Sequence, residues 1–284
     1  MKPLALALAL LSPTSTLAAG AVGYARASSQ LKVESRPTLY QPLNVLDGRE
    51  ISVWCEGAEG DGVGQKLVIG FKEEVLVDEL QISTGDGKEP STFAAHHRVK
   101  KLVVKEPRSV HRLTLIDERG PQSFKLDPPI RGDRVELEIA EVVKGTGDDD
   151  AACLSDVIFL KDGKPLNGPF LTDKLKYERG RAQLMNTWYA GPKGAPERFL
   201  DFYYDGTFHY LYRPFDPEEE LMEVRGEYVF DRDVLKLKLP DKGWVTVQTK
   251  KEKVTTEDGV VQTVLQLTSE ALEKSLATSY ADEP

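Results

Sequence analysis

Apolar residues alternate with polar residues along much of this chain, and this period of two constrains the fold more than any other feature of the sequence. The segments VELEI at 135–139 and LKLKL at 235–239 show the pattern in full. Because successive side chains of a β-strand point to opposite faces of a sheet, such alternation predicts half-buried strands. Asp-Gly pairs, which favour tight antiparallel turns, separate these runs and begin at Asp47, Asp61, Asp86, Asp162, Asp205 and Asp258. The sequence therefore predicts an all-β protein.

The strand pattern divides into two groups, and a chain of 284 residues is long enough for two domains. The segment 161–181 is rich in Pro, Gly and charged residues and shows no alternation, which predicts a linker. We predict a jelly-roll β-sandwich over residues 28–162, the linker over 163–181 and a smaller antiparallel β-barrel-like domain over 182–284. Ser269–Leu276 carries a helical pattern, which predicts a short C-terminal helix.

Residues 1–27 have the pattern of an export signal. Lys2 supplies a positive charge, residues 4–11 form a short apolar core, and small residues follow at 19–21 and 25–27. The apolar core is too short to span a bilayer. The sequence therefore predicts a secreted or periplasmic protein that does not span the membrane.

The acidic balance of the chain argues against nucleic acid as a partner. The formal net charge is -9, and acidic and basic residues are interspersed without a long basic stripe. Such a surface would repel a phosphate backbone. The sequence therefore predicts no nucleic-acid partner.

The chain contains two cysteines, Cys55 and Cys153. In an oxidising compartment an even number of cysteines favours a disulfide, and we predict this bridge. The alternative is a pair of separate buried thiols that act as small hydrophobic residues.

Four glycines between residues 57 and 64 follow a Trp-Cys pair and suggest, at first, a phosphate-binding loop. Such a loop requires a helix directly after it, because the helix N-terminus supplies the amide donors. Here the next residues, QKLVIGF, alternate as a strand does, and the lysine and hydroxyl of a P-loop are missing. The glycines therefore predict a turn between strands, and no organic cofactor is expected.

Four fragments occur in the order YQPLNVLDG, VWCEGAEGDGVGQKLVIGF, HHRVKKLVV and GDDDAACLSDVIFL. Together they resemble the discoidin-like, coagulation-factor C-type domain with a galactose-binding-like fold. The resemblance is to the subgroup found beside bacterial NAD glycohydrolases, described as a glycan-binding or translocation domain. It covers residues 40–160 and implies a β-sandwich that binds glycans or other surface ligands and has no catalytic role.

The resemblance also implies roles for individual residues. Trp54 resembles the tryptophan that packs between the two sheets of the family. Asp47 and Asp156 resemble positions near a structural calcium ion, and carboxylates are suitable ligands for calcium. Arg49 and Glu50 depart from the family pattern, in which small polar residues are common at this point.

His96, His97 and Arg98 form a polar cluster directly before a predicted strand, and we predict that they contact the ligand. Adjacent histidines on a strand point to opposite faces, so this pair alone does not predict a metal site. The alternative is a structural loop in which Arg98 forms a salt bridge.

The second half of the chain resembles lipocalin-like bacterial domains. It contains a Trp, a strand that enters an Asp-Gly-Thr-Phe hairpin, and a later Gly-x-Tyr. Its aromatic residues could line a ligand cavity or form an ordinary core. They are Trp188, Phe202, Tyr204, Phe208, Tyr210 and Tyr212.

No catalytic motif emerges from the sequence. The chain has no Gly-x-Ser-x-Gly or His-Glu-x-x-His motif, and no histidine shows an acidic partner at a spacing typical of acid–base chemistry. We therefore predict an exported, non-enzymatic protein whose sandwich recognises a glycan or another cell-surface ligand. Two alternatives remain: an envelope-associated assembly or scaffold protein that binds other proteins, and an enzyme with its site in the aromatic second half.

Overall fold

The computed structural model describes residues 21–36, 38–148, 150–167, 184–191, 196–231, 234–256, 259–272, 276 and 278–282. The first 20 residues of the predicted export signal lie outside the described residues, as does the predicted linker from residue 168 onward. Among the described residues, no helix has the length and apolar composition that crossing a bilayer requires.

The first domain is a β-sandwich. Its described part contains two short helices, the 3-10 helix Pro42–Leu46 and the α-helix α1 Pro90–Ala95. The strands are β1 Val22–Ala27, β2 Trp54–Cys55, β3 Lys66–Thr84, β4 His97–Glu106, β5 Ser109–Thr114, β6 Gln122–Val143, β7 Ala152–Lys161 and β8 Lys164–Pro165.

Two long bent strands, β3 and β6, organise the sandwich. The strands follow the order β1-β3-β6-β4-β7-β2, with β5 beside β4 and β8 beside β7. The register of β3 against β6 shifts between Gly70 and Val75, and beyond this bulge β3 also pairs with β7. A bulge bends a strand, so β3 contributes to both layers of the sandwich. Trp54 is fully buried in the core between them, as the resemblance implied, and its Nε1 donates to the carbonyl of Ser29 at 3.1 Å.

Strand β1 belongs to the sandwich, although the sequence places residues 22–27 inside the export signal. It pairs with Leu67–Phe71 of β3, and Val22, Tyr24 and Ala25 are buried. A leader boundary at residue 27 conflicts with this strand, because cleavage there would remove part of the core. The small residues at 19–21 lie before β1 and leave it intact.

The second domain is a closed antiparallel barrel. Its strands are β9 Asn186–Ala190, β10 Glu197–Phe202, β11 Thr207–Arg213, β12 Met222–Asp231, β13 Val234–Leu239, β14 Gly243–Thr255, β15 Val261–Thr268 and β16 Ser279–Asp282. Each strand pairs with its neighbour in sequence, and β9 closes the ring between β10 and β16. The all-β prediction, with a sandwich before a smaller barrel, is confirmed.

Aromatic side chains fill the barrel. Trp188, Phe202, Phe208, Tyr210 and Tyr212 are all buried and belong to one hydrophobic cluster. This favours the core interpretation of these residues, because large side chains leave little interior space in a barrel of eight strands.

The segment predicted as a terminal helix, Ser269–Leu276, is described only in part. Residues 269–272 form a turn and a bend rather than a helix, and residues 273–275 lie outside the described residues. Leu272 and Leu276 nevertheless point into the barrel core.

The two domains touch through the turn between β10 and β11. Tyr203 and Tyr204 of this turn are buried in the hydrophobic cluster of the sandwich, not in that of the barrel. The backbone N–H of Tyr204 donates to the carbonyl of Gly23 at 2.8 Å. Lys72 of the sandwich forms an ion pair with Asp205 of the turn.

A hydrogen bond joins the hydroxyls of Tyr24 on β1 and Thr187 on β9 at 3.1 Å. The sandwich and the barrel therefore meet along β1.

Candidate ligand-binding surface of the sandwich

The disulfide Cys55–Cys153 lies at one end of the sandwich and confirms the sequence prediction. The two cysteines face each other in the pairing of β2 with β7, with an S–S distance of 1.98 Å. A His96 ring nitrogen and the two sulfurs lie within 4.8 Å of one another. Sulfurs in a disulfide do not act as thiolate ligands, so this group is not a metal site.

Three loops, which we call the end loops, meet near this disulfide: residues 47–52, 85–89 and 116–120. The Ser155 hydroxyl donates to the Gly85 carbonyl at 2.6 Å and accepts the Gly87 N–H at 2.8 Å. Arg119 Nη2 donates to the Gly87 carbonyl at 2.5 Å. These bonds connect the second loop to β7 and to the third loop.

Asp47 and Asp156, the predicted calcium ligands, are neighbours in this region. The N–H of Gly48 donates to Asp156 Oδ1 at 3.3 Å, and only 6% of Asp156 is exposed. Burial and then the negative charge of Asp47 raise the pKa of Asp156 to about 7. Burial also raises the pKa of Asp47 above its ordinary value. Two adjacent, partly buried carboxylates form a donor set that fits a hard cation such as calcium.

Glu50 is a third carboxylate at this place, and sequence reasoning did not include it in the site. Its charge adds to the rise in the pKa of Asp156. Its backbone carbonyl lies close to Gly87, where a Cβ atom would come within 2.9 Å of that oxygen. Glu50, which departs from the family pattern, therefore adds negative charge beside Asp156.

Arg98 lies below the end loops and is 8% exposed. Its Nε and Nη2 donate to the two carboxylate oxygens of Asp117 at 2.9 and 3.0 Å, and this bonding holds the pKa of Asp117 below its ordinary value. Nη1 also donates to the carbonyls of His96 and Lys144, each at 3.2 Å. The salt bridge that the sequence left as the alternative is therefore present.

The two histidines are buried as well, with 8% of His96 and 2% of His97 exposed. His96 Nε2 lies 3.8 Å from a carboxylate oxygen of Asp86. His97 Nδ1 accepts the N–H of Gly145 at 3.2 Å. Both histidine side chains therefore contact the surrounding loops, and little of either is exposed to solvent.

The exposed parts of the end loops carry a mixture of apolar and cationic side chains. Ile51 and Ile116 are 63% and 64% exposed, and Arg49, Lys88 and Arg119 are also exposed. A weak sequence signal was present, since each isoleucine is adjacent to a charged residue, Glu50 or Asp117. The sequence alone did not show that these isoleucines share one surface, because it did not show that the end loops meet.

A separate group in the barrel corrects the sequence analysis of the histidines. His209 lies between two carboxylates, with Nδ1 at 3.2 Å from Asp201 and Nε2 at 2.9 Å from Glu223. The sequence analysis found no acidic partner of any histidine at a spacing typical of acid–base chemistry, and the structure brings two such partners to His209. The sequence did not reveal these partners, because Asp201 and Glu223 become neighbours of His209 only when β11 pairs with β10 and β12.

The sequence profile of the NAD glycohydrolase translocation F5/8 type C domain matches residues 17–160. No curated protein sequence matches the chain significantly.

Among solved structures, the chain is similar to the family 32 CBM of C. perfringens NanJ in complex with galactose, with 15% identity and a TM-score of 0.34 over 47% of this chain and 90% of that one. It is also similar to the CBM32 of AlyQ in complex with 4,5-unsaturated mannuronic acid, with 12% identity and a TM-score of 0.36 over 50% and 97%. A third similar structure is a CBM32 module from Clostridium perfringens in complex with GalNAc-β-1,3-galactose, with 13% identity and a TM-score of 0.34 over 47% and 91%. These values are low, so the family assignment rests on the profile.

Proposed function

The chain belongs to the NAD glycohydrolase translocation F5/8 type C domain family, and from this premise we propose that it is an exported, non-catalytic protein whose sandwich binds a glycan through the end loops. The observation that carries the proposal is the meeting of three hydrogen-bonded loops with exposed apolar and cationic side chains. Loops on a rigid scaffold are common sites of recognition. The disulfide is consistent with an oxidising compartment, either secreted or periplasmic.

Ile51 and Ile116 would supply the apolar contacts to the ligand, since both are more than half exposed. Arg49 and Lys88 would donate hydrogen bonds to hydroxyl groups. His96, His97 and Arg98 would support the surface from below rather than contact the ligand, because all three are buried and bonded to neighbouring groups.

We further propose that Asp47 and Asp156 hold a structural calcium ion. Calcium accepts about six to eight oxygen ligands, so backbone carbonyls of the same loops would complete the set. The ion would supply positive charge to a pair of carboxylates whose pKa values are raised chiefly by burial. The role of the two side chains is to fix the first end loop against β7.

Retention of the protein on immobilised glycans, with calcium and with a chelator, tests this function. We expect the double variant Ile51→Ser, Ile116→Ser to weaken retention at least about tenfold, which corresponds to about 1.4 kcal/mol. The matched control is Val110→Ser, because Val110 is 52% exposed but lies on β5, away from the end loops. Failure to bind any glycan, or equal losses in the variant and the control, would contradict the proposal.

One observation favours the alternative of a protein-binding scaffold. Phe215 and Leu221 are 72% and 58% exposed and flank an acidic loop of the barrel, and exposed apolar residues of this kind mark interaction sites. A pull-down from envelope extract with Phe215→Ser, Leu221→Ser tests it, with Val260→Ser as the control of similar exposure. A partner lost with the loop variant alone would favour the scaffold.

The group of Asp201, His209 and Glu223 favours the enzyme alternative, because a histidine between carboxylates is a common acid–base arrangement. A panel of hydrolase substrates with the full chain and with His209→Gln tests it. Turnover that disappears in the variant would contradict the non-catalytic part of the proposal.

A further inference from the structure

One mouth of the barrel opens toward the sandwich, and a cleft of about 480 Å³ lies between the two domains at this mouth. β1 and the 3-10 helix form the sandwich wall, and β9, β14, β15 and β16 form the barrel wall. Domain interfaces and barrel mouths are frequent places for ligand sites, and this volume lies within the usual range of about 300–1,000 Å³. The polar residues of the lining are Arg26, Gln30, Thr38, Gln41, Asn186, Lys251, Thr263 and Asp282.

Two cationic side chains from different domains converge on this cleft. Arg26 of β1 donates to the side-chain oxygen of Asn186 and forms an ion pair with Asp282 at 3.3 Å. Lys251 of β14 holds its Nζ 5.4 Å from the ring centre of Trp188, at the end of the barrel core. Lys251 is exposed overall, while desolvation of its charge and then the nearby charge of Arg26 hold its pKa below the ordinary value, so the two cations act on each other.

The lining contains two cationic side chains but a single carboxylate, Asp282. Both oxygens of that carboxylate are engaged, because Oδ2 faces Arg26 and Oδ1 accepts the N–H of Thr263 at 2.9 Å. Among the described residues of the lining, two positive charges therefore lie beside one negative charge, and the charge of Asp282 acts on Lys251 as well. An incoming anion would meet both cations in this cleft.

Neutral hydrogen-bonding groups surround the two cations. Gln30 and Gln41 offer amides, and Thr38 offers a hydroxyl, all from the sandwich wall. Asn186 supplies another amide from the barrel, and it is 3% exposed. Amides and hydroxyls both donate and accept, so they match the hydroxyl groups of a polyol.

We propose that this cleft binds a small polyhydroxylated anion, a sugar acid or a sugar phosphate, with its carboxylate or phosphate group between Arg26 and Lys251. The ligand contacts both domains, so its binding stabilises their association. The site is separate from the end loops, and the failure of one site leaves the other untouched.

Calorimetric titration of the full chain with glucuronate, glucose 6-phosphate, inorganic phosphate and glucose tests the proposal. We expect at least one of the two sugar anions to bind and neutral glucose not to bind. Glucuronate as the stronger ligand identifies a carboxylate ligand, and glucose 6-phosphate as the stronger ligand identifies a phosphate ester. Inorganic phosphate is expected to bind more weakly than either, because it lacks the hydroxyl contacts.

Three variants sharpen the test. Lys251→Gln removes one cation and is expected to weaken binding at least about tenfold. Asp282→Asn removes the competing carboxylate and keeps the oxygen that Thr263 requires, so it is expected to strengthen binding. Lys253→Gln is the matched control, because Lys253 lies on the same strand and outside the cleft lining.

Three outcomes would overturn the proposal. The first is no binding of either sugar anion at about 10 mM, a concentration at which a Kd of about 1 mM would give nearly full occupancy. The second is equal binding of glucose, and the third is equal losses for Lys251→Gln and Lys253→Gln. A folded circular dichroism spectrum of each variant separates loss of the site from loss of the fold, and the increase expected for Asp282→Asn does not arise from unfolding.

Discussion

The core of the sandwich is mainly aliphatic and a disulfide joins two of its strands, whereas the core of the barrel is rich in aromatic residues and its strands close into a ring. The sandwich contains a long connection between β1 and β2, residues 28–53, and its end loops carry the proposed glycan surface. In the barrel, most connections between the described strands are short turns. The domain that carries the proposed glycan surface is therefore also the domain that contains the disulfide.

This difference has a physical basis. Closure of a sheet satisfies the hydrogen-bonding groups of every strand, so a barrel gains its order from the backbone itself. The sandwich contains longer loops, whose ordering costs entropy. A cross-link between distant parts of the chain reduces the entropy of the unfolded state and offsets part of that cost.

Removal of the disulfide should have the largest effect, and it should fall on the sandwich. The double variant Cys55→Ala, Cys153→Ala removes a link between residues 98 positions apart. We expect the sandwich to lose about 4–5 kcal/mol of stability, while the barrel changes little. Amide hydrogen exchange measured separately in β3 and β14 checks this. An equal loss of protection in both strands would show that the two domains unfold as one unit.

A cavity in the barrel core should have the opposite effect: it should destabilise the barrel and leave the sandwich unchanged. Phe202 is fully buried and packs against Tyr228 with ring centres 4.9 Å apart. We expect Phe202→Ala to destabilise the barrel by about 3–5 kcal/mol and to leave exchange in the sandwich unchanged. Phe199→Ala, on the same strand but only half-buried, is the control and should cost clearly less. Similar losses for the two variants would contradict the packed aromatic core.

The next largest difference between the two domains should be in the pH dependence of their stability. The pKa of Asp156 rises from an ordinary value of 3.8 to about 7 in the folded sandwich. Between these values the folded state holds a proton that the unfolded state has lost, so stability falls as the pH rises through this window, by about 1.4 kcal/mol per pH unit at most. The barrel has no counterpart to this carboxylate pair among its described residues.

Asp156→Asn should therefore remove this slope and stabilise the calcium-free sandwich at pH 8 by about 2 kcal/mol, since relaxation of the site reduces the full effect. Denaturant titrations between pH 5 and pH 8, with calcium and with a chelator, measure it. We expect calcium to stabilise the unmodified protein and not the variant. A calcium response that persists in Asp156→Asn would contradict the assignment of the ion to this site.

The smallest effect should be on the contact between the domains. The hydroxyl of Tyr24 bonds to Thr187 at 3.1 Å, while its ring packs against Gly70. Tyr24→Phe keeps the ring and removes the bond, so we expect a loss of about 1 kcal/mol. Two unfolding transitions that separate further in this variant would confirm coupling along β1, and unchanged transitions would argue against it.

Sequence patterns predicted the strands well, because alternation reports directly which face of a strand is buried. The segment 135–139 lies within β6 and the segment 235–239 lies within β13, as expected. The strand β1 escaped prediction, because its residues VGYARA mix small and polar side chains and follow an export-signal pattern. Its burial depends on β3 and the barrel, which local sequence does not reveal.

The candidate sites were less accessible to sequence reasoning. The resemblance brought Asp47 and Asp156 together, and the structure places them side by side. It gave no indication that Arg98 and the two histidines would be buried, because the loops that cover them are distant in sequence. The pairing of Arg26 with Asp282 depends on contact between two domains, and the sequence pattern predicts each domain separately.

The position of β1 at the margin of its sheet has a consequence for assembly of the molecule. Among the described residues of the sandwich, no strand pairs with one side of β1, and the barrel turn at Tyr204 covers part of that side. Unprotected strand margins invite pairing with other chains and so promote aggregation. Because the barrel follows the sandwich in the chain, a nascent or truncated chain without the barrel exposes this margin, and the folded barrel then covers it.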